Sequence, residues 1–145
     1  MADRHPVLIA TVLDATDARA VAEFYRQLLG YRYGPGDDCP PPGEPDPKAE
    51  DWLVLTDQTG RARLAIQHVA ELTPATWPDP AVPQQLHLDL GVATVAELAE
   101  QHERAVALGA TVLEDRSGDS VEALCVYADP AGHPFCILVA PTVVA

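Results

Sequence analysis

The chain of 145 residues is predicted to have an α+β fold built from two modules, each with the element order βαβββ. Patterns typical of a strand, a helix and three further strands occur in this order twice. A Leu-Gly pair ends each predicted helix, at Gly30 and Gly109. An Asp-x-x-Gly turn precedes the last strand of each module, at 57–60 and 129–132. Because each module alone would leave one sheet face bare, the two are expected to pack into one curved sheet with a cleft.

Residues 1–73 are predicted to form the first module. The apolar run at 7–13 ends at Asp14 without a cleavage-site pattern, so we interpret it as a strand and not as a signal peptide. Asp17 is expected to cap a helix, because apolar residues recur at helical spacing immediately after it. The remaining predicted elements of this module are a helix at 18–29 and strands at 31–33, 52–56 and 61–69.

Two proline-rich segments separate the predicted elements. Residues 34–51 contain six prolines and few apolar residues, so we expect irregular structure that is either mobile or a lid over the cleft. Residues 74–83 contain four more prolines and are predicted to link the two modules.

Residues 84–145 are predicted to form the second module. Its helix spans 94–108, and its first and second strands are expected at 85–92 and 110–113. A tight hairpin follows at 125–140, where a proline and a glycine in the turn separate two apolar runs.

The composition excludes several classes of protein. A net charge of −13, from 22 acidic and 9 basic residues, argues against binding to nucleic acid or anionic membranes, and it is compatible with a cationic ligand. No apolar run approaches the roughly 20 residues of a membrane helix. The three cysteines form no CxxC pair and are expected to be free thiols, which predicts a cytoplasmic location. Whether Cys125 and Cys136 face each other across their hairpin depends on the turn type.

Four motifs in this order resemble the vicinal oxygen chelate superfamily, which includes glyoxalase I, bleomycin-resistance proteins and extradiol dioxygenases. They cover both modules, and a short glyoxalase-like subgroup with a HLDL strand is the most similar. The motifs are the helix from Asp17 to Phe24-Tyr25-Arg26-Gln27-Leu28-Leu29-Gly30, His87-Leu88-Asp89-Leu90, Ala107-Leu108-Gly109-Ala110, and Asp129-Pro130-Ala131-Gly132-His133-Pro134-Phe135. The resemblance implies a site inside the cleft of the paired modules, and a homodimer.

Catalytic members of the superfamily hold one divalent metal with ligands from the first, fourth, fifth and eighth strands. Carried over by position, these ligands fall on Ala10, Leu64, His87 and Cys136. Only His87 is an ordinary ligand and Cys136 a possible soft one, while Gln67 near Leu64 would need a shifted register and a change of face. We therefore expect no metal cofactor, and His87 and Cys136 as the ligands if a divalent metal does bind.

Further candidates for ligand contacts are two aromatic residues, Trp52 and Tyr127, and a tryptophan in the linker, Trp77. Asp89 lies two residues after His87 on the same strand face. It is either the partner of His87 in a general base or, as we favour, a strand-end residue bonded to a nearby backbone group.

Among the other histidines, His133 is expected to be exposed in its turn. His68 and His102 are interpreted as surface or boundary residues.

These observations predict a protein that binds a small organic molecule, cationic or aromatic, without a catalytic metal, as in bleomycin-resistance-type sequestration. The predicted ligand contacts are His87, Cys136, Gln67, Trp52 and Tyr127. The alternative is a metal-dependent lyase, isomerase or dioxygenase that uses His87. A third hypothesis is a domain that serves only dimerisation.

Overall fold

The computed structural model describes residues 4–144 and divides the chain into two compact units, which meet in sequence at Ala70 and Glu71. Each unit contains one α-helix and a four-stranded sheet, so the predicted α+β class and the repeated βαβββ order are confirmed. Among the described residues, no helix is both long enough and apolar enough to cross a membrane.

The first unit contains β1 (Thr11–Ala15), α1 (Ala18–Leu29), β2 (Arg32–Tyr33), a short 3₁₀ helix (Pro47–Glu50), β3 (Trp52–Thr56) and β4 (Ala62–His68). Its four strands form one sheet in the order β1-β4-β3-β2. Strand β1 runs parallel to β4, and the other neighbours are antiparallel. The predicted first strand began too early: Val7, Leu8 and Ile9 are largely exposed and lie outside the ladder, and the pairing with β4 begins only at Thr11.

The second unit repeats this arrangement with β5 (Leu88–Val92), α2 (Val95–Leu108), β6 (Thr111–Arg116), β7 (Leu124–Ala128) and β8 (Pro134–Val139). Its strand order is β5-β8-β7-β6, and β5 and β8 are parallel. Strand β6 is longer than predicted, because pairing with β7 continues to Arg116. Strand β5 is shorter, so His87 lies immediately before it.

Helix α1 begins and ends at the predicted residues, while α2 ends as predicted and begins one residue later than predicted, at Val95 with Thr94 as its N-cap; local hydrogen bonds explain these ends. The side chain of Asp17 accepts a hydrogen bond from the Ala20 amide at 3.1 Å, and that of Thr94 accepts one from the Glu97 amide at 3.1 Å. Gly30 and Gly109 end the helices at φ values of +67° and +117°, which side chains disfavour. Each helix buries its apolar side against one face of its own sheet, and the other sheet face remains for the site.

The two Asp-x-x-Gly turns match atom by atom. In each, the aspartate Oδ1 accepts hydrogen bonds from the amides two and four residues later, at 57–61 and at 129–133. The expectation that His133 is exposed was wrong: its ring is largely buried and its Nδ1 lies 2.9 Å from the Asp129 carboxylate, whose side chain is fully buried. The turn before β8 therefore holds the start of that strand in a defined position.

Polar anchors hold the proline-rich segment 34–51. The Arg19 guanidinium donates to both oxygens of Asp46 at 2.8 Å and to the Asp37 carbonyl at 2.6 Å. The Asp37 carboxylate in turn accepts from the Val54 amide of β3 at 2.9 Å. The sequence interpretation considered only apolar anchors and expected no regular structure here, whereas the segment includes the 3₁₀ helix Pro47–Glu50.

Candidate functional site

The candidate site lies on the face of the second sheet that points away from α2. One row of paired residues crosses this face from β5 to β6: Asp89, Cys136, Val126 and Glu114. Neighbouring strands are about 4.8 Å apart, so the backbone positions of Asp89 and Glu114 are separated by roughly 14 Å. The row therefore places a carboxylate at each end of a short, largely apolar floor.

Three side chains converge at the β5 end of this row. The Nε2 atom of His87 lies 3.3 Å from Oδ1 of Asp89. One donor atom each from His87, Asp89 and Cys136 lies within 4.8 Å of the others. The interpretation of Asp89 as a strand-end residue bonded to backbone was wrong, since its carboxylate faces the imidazole and the thiol. We refer to His87, Asp89 and Cys136 as the polar cluster.

Cys136 is a neutral thiol in this environment. Burial raises its pKa to about 11, and the neighbouring Asp89 carboxylate adds to the rise through its charge and a hydrogen bond. A thiol with this pKa carries very little thiolate at neutral pH, so without a metal Cys136 is a poor nucleophile.

A cavity of about 200 Å³ opens beside the polar cluster, within the second unit. Its floor is apolar and is formed by Leu124, Val126 and Pro134, while Trp77 and Gln84 line it from the segment before β5. The volume is below the roughly 300–1,000 Å³ of sites for drug-sized ligands, so the cavity suits a smaller molecule. We call this cavity the β-face pocket.

The predicted linker segment positions Trp77. Thr76 closes a compact loop, because its hydroxyl donates to the carbonyls of Asp79 and Val82 and accepts from the Val82 amide at 2.8 Å. The start of the segment packs on the turn before β8: a Cβ added at Gly132 would lie 2.6 Å from the Cβ of Pro74. The segment is therefore fixed to the second unit, with Trp77 at the pocket.

Tyr127, the other predicted contact in this unit, does not reach the β-face pocket. It is fully buried on the helix side of the sheet, stacks on Phe135 with a centroid distance of 5.0 Å, and pairs through its hydroxyl with Nδ1 of His102 at 2.8 Å. Burial raises the pKa of its hydroxyl well above the ordinary value. The interpretation of Tyr127 as a ligand contact was therefore wrong, because the side chain has no exposed surface. His102, interpreted as a surface or boundary residue, is partly exposed at the boundary of the fold, and its ring contacts the buried Tyr127 hydroxyl.

Trp52 and Gln67 lie in the first unit, directly opposite each other in the β3–β4 ladder. Their side chains thus share one face of the first sheet, with Gln67 exposed and Trp52 partly buried. Asp14 of β1 pairs with Gln67 on its other side. The structure brings Trp52 and Gln67 together with Asp14, and it brings His87 and Cys136 together with Asp89.

A β-bulge explains why position counting misplaced the fourth-strand candidate. The register between β3 and β4 shifts at Leu55 and Thr56. Counting seven residues from the turn aspartate therefore reaches Leu64, which is buried against the helix. Ala65 occupies the ladder position that corresponds to Cys136, because each pairs with a valine of the preceding strand. Gln67 lies two residues further on the same face, so the shifted register that it requires is present.

A larger cavity of about 430 Å³ lies in the first unit, between α1, β2 and the proline-rich segment. Its central charges already neutralise each other, since Arg26 bonds both oxygens of Glu23 at 2.6 and 3.1 Å. The Tyr33 hydroxyl donates to the same carboxylate at 2.7 Å. We favour the smaller β-face pocket as the site because its polar groups converge on the cavity.

The polar cluster also offers one imidazole nitrogen, one carboxylate oxygen and one sulfur to a metal. This donor set fits Zn²⁺ better than Mg²⁺ or Ca²⁺, which prefer oxygen ligands. Three protein ligands with further positions open are typical of catalytic zinc sites. His87, Asp89 and Cys136 are therefore the described residues of this unit that would hold a metal.

Sequence reasoning missed one residue of this site, Glu114, and favoured the wrong one of two roles for another, Asp89. The spacing of two between His87 and Asp89 already indicates a shared face, and this signal was available. Glu114 gave no such signal, because the register between β6 and β7 shifts between Val112 and Glu114. The bulge turns Glu114 toward the pocket, and a bulge is not visible in the alternation of apolar residues.

Comparisons with known proteins agree with the fold. A family model described as "Glyoxalase-like domain" matches residues 10–138. A search of curated proteins found no significant match.

Among solved structures, a glyoxalase/bleomycin resistance/dioxygenase family enzyme from Burkholderia phytofirmans is 16% identical, with a TM-score of 0.62 over 90% of this chain and 95% of that one. A fosfomycin resistance protein from Mesorhizobium loti is 13% identical, with a TM-score of 0.64 over 92% and 91%. A lactoylglutathione lyase from Agrobacterium tumefaciens is 21% identical, with a TM-score of 0.56 over 94% and 95%.

These solved structures show a shared fold, while the family model covers most of the chain and includes the polar cluster. The chain therefore belongs to the glyoxalase-like family of the vicinal oxygen chelate superfamily.

Proposed function

We propose that this protein binds a small organic molecule in the β-face pocket without a catalytic metal, as a sequestering protein of the bleomycin-resistance type. The observation that carries the proposal is that His87 and Cys136 of the polar cluster line an apolar-floored cavity of about 200 Å³. Apolar walls with a few convergent polar groups are typical of sites that bind small ligands.

The metal-free form is supported by the way the polar cluster satisfies itself. The Asp89 carboxylate accepts from the Cys136 thiol and lies 3.3 Å from His87 Nε2. In this form His87 and Asp89 orient a hydroxyl, amine or carbonyl group of the ligand, while Leu124 and Val126 contact its apolar part.

The test is a thermal-shift screen of small molecules, followed by calorimetric titration of the best compound. We expect His87→Ala to abolish its binding, and Gln85→Ala, a nearby exposed control, to leave binding unchanged. Equal affinity of His87→Ala and the parent chain would reject the proposal.

A second candidate function is a metal-dependent enzyme, and the proximity of three donor atoms favours it. When bound there, a divalent metal would supply a Lewis acid that polarises a substrate oxygen. Metal analysis after dialysis separates the two functions. About one equivalent of transition metal in the parent chain, lost in Cys136→Ser and kept in the exposed control Cys39→Ser, would replace the metal-free proposal.

We also propose a homodimer. Its support is the exposed apolar segment before the edge strand β1, where Val7, Leu8 and Ile9 are 72%, 85% and 74% exposed. Size-exclusion chromatography with light scattering should give the mass of a dimer, and Leu8→Asp should shift it to a monomer. A monomeric parent chain at micromolar concentration would count against this.

A cytoplasmic location completes the proposal. Cys39, Cys125 and Cys136 are all free thiols, as expected in a reducing compartment. Cell fractionation would test it, and recovery of the protein outside the cytosol would contradict it.

A further inference from the structure

The charge of the chain is divided unequally between its two units. The first unit contains seven of the nine basic residues and eleven acidic ones, a net charge of −4. The second contains two basic and eleven acidic residues, a net charge of −9. The β-face pocket therefore lies in the more negative half of the protein.

Within the pocket, one carboxylate has no protein partner. Glu114 lines the cavity at the β6 end of the floor, and among the described residues 4–144 it makes no hydrogen bond or ion pair. It lies in the same row as Val126, next to the apolar floor. An unpaired carboxylate beside an apolar surface attracts an organic cation, because the apolar part of the ligand is buried while its charge is neutralised.

The other charged groups of the pocket are already engaged. Arg116, the basic residue on the rim, lies 3.3 Å from the Asp119 carboxylate. Asp89 at the opposite end faces His87 and Cys136. The two ends of the floor are therefore different: an unpaired carboxylate at Glu114 on β6, and the polar cluster, whose Cys136 lies two strand spacings away on β8 and whose Asp89 lies three spacings away on β5.

Trp77 adds a feature that favours a cation. Its indole lines the same cavity, and an aromatic face attracts an ammonium group more strongly than a neutral or anionic one. The apolar floor, the aromatic wall and the unpaired carboxylate together select one chemical class.

We infer that the β-face pocket takes a small organic amine, with its ammonium group at Glu114, its apolar body over Leu124 and Val126 beside Trp77, and a polar group at His87. This inference rests on the proposed function, because it names the ligand class of the same pocket. It excludes carboxylates and phosphates of similar size as good ligands.

The test compares three probes that differ mainly in charge: phenethylamine, 2-phenylethanol and 3-phenylpropanoate. Calorimetric titrations are performed with the parent chain, with Glu114→Gln, and with Glu100→Gln, which removes an exposed carboxylate on α2 as a matched control.

In the parent chain and in Glu100→Gln, we expect the amine to bind about three- to fivefold more tightly than the alcohol, in the upper part of the range for a solvent-accessible ion pair. The preference should weaken at high salt. In Glu114→Gln the amine should bind no more tightly than the alcohol. The carboxylate should bind most weakly to all three proteins.

Three results would overturn the inference: a carboxylate that binds as tightly as the amine, an amine preference that survives Glu114→Gln, or no binding of any probe at millimolar concentration. These outcomes are distinct from failure of the proposed function. If a compound from the thermal-shift screen still depends on His87 while the amine preference is absent, the pocket is a ligand site and only the ligand class is wrong.

Discussion

Slow reaction of Cys136 with thiol reagents is the most direct consequence of the structure at the site. Burial, supported by Asp89, raises the pKa of this thiol to about 11. At pH 8 its thiolate fraction is then about 0.1%, compared with about 24% for a free cysteine of pKa 8.5. The population of the reactive form is lower by roughly 240-fold.

The expected rate is less reduced than the thiolate population, because a more basic thiolate is a better nucleophile. With a Brønsted coefficient of about 0.45, a pKa difference of 2.5 makes each thiolate roughly 13-fold more reactive. The two effects together predict alkylation roughly 20-fold slower than that of a free cysteine at pH 8. Restricted access to the partly buried sulfur slows the reaction further.

The assay uses iodoacetamide and mass spectrometry on Cys39→Ser, which removes the exposed thiol. Cys125 is fully buried and should stay unmodified in the folded protein. The rate for Cys136 should rise through pH 9 and 10 without a plateau. In Asp89→Asn the plateau should move to lower pH, because the carboxylate that disfavours the thiolate is gone. A plateau at or below about pH 8.5 in the parent background would refute the reasoning, since that is the behaviour of an ordinary thiol.

Three further predictions concern the proline-rich segment of the first unit, and His87 and the turn before β8 in the second. Arg19→Ala should expose the proline-rich segment of the first unit to limited proteolysis, because it removes the hydrogen bonds to Asp46. The exposed control Arg32→Ala should remain resistant. Equal cleavage of the two variants would show that Arg19 does not anchor the segment. His87→Ala should lower the free energy of unfolding by less than about 0.5 kcal/mol, because the side chain is 45% exposed. A large fall in Tm with unchanged ligand affinity would instead show that His87 is a structural residue. Gly132→Ala should destabilise the protein by about 1–3 kcal/mol more than Gly60→Ala does. Both variants replace a glycine of positive φ, but only the Cβ added at position 132 meets a neighbouring side chain, that of Pro74 at 2.6 Å. Similar Tm values for the two variants would show that the linker segment does not pack on this turn.

The sequence alone was sufficient for the features that depend on neighbours along the chain. Helix caps at Asp17 and Gly30 and the two aspartate turns involve contacts within about five residues, so their residue types identify them directly. The repeated module followed from these local signals. The resemblance to known motifs then selected His87 and Cys136, and the structure brings their side chains together.

Only the tertiary structure decided which side chains share a pocket. Bulges in two ladders, near Leu55 and near Val112, change the face of every residue beyond them, and no local pattern reveals a bulge. For this reason Glu114 was missed and Leu64 was reached by position counting. The burial of Tyr127 and the placement of Trp77 likewise depend on packing between residues far apart in sequence, where side-chain type allows several outcomes and the complete fold selects one.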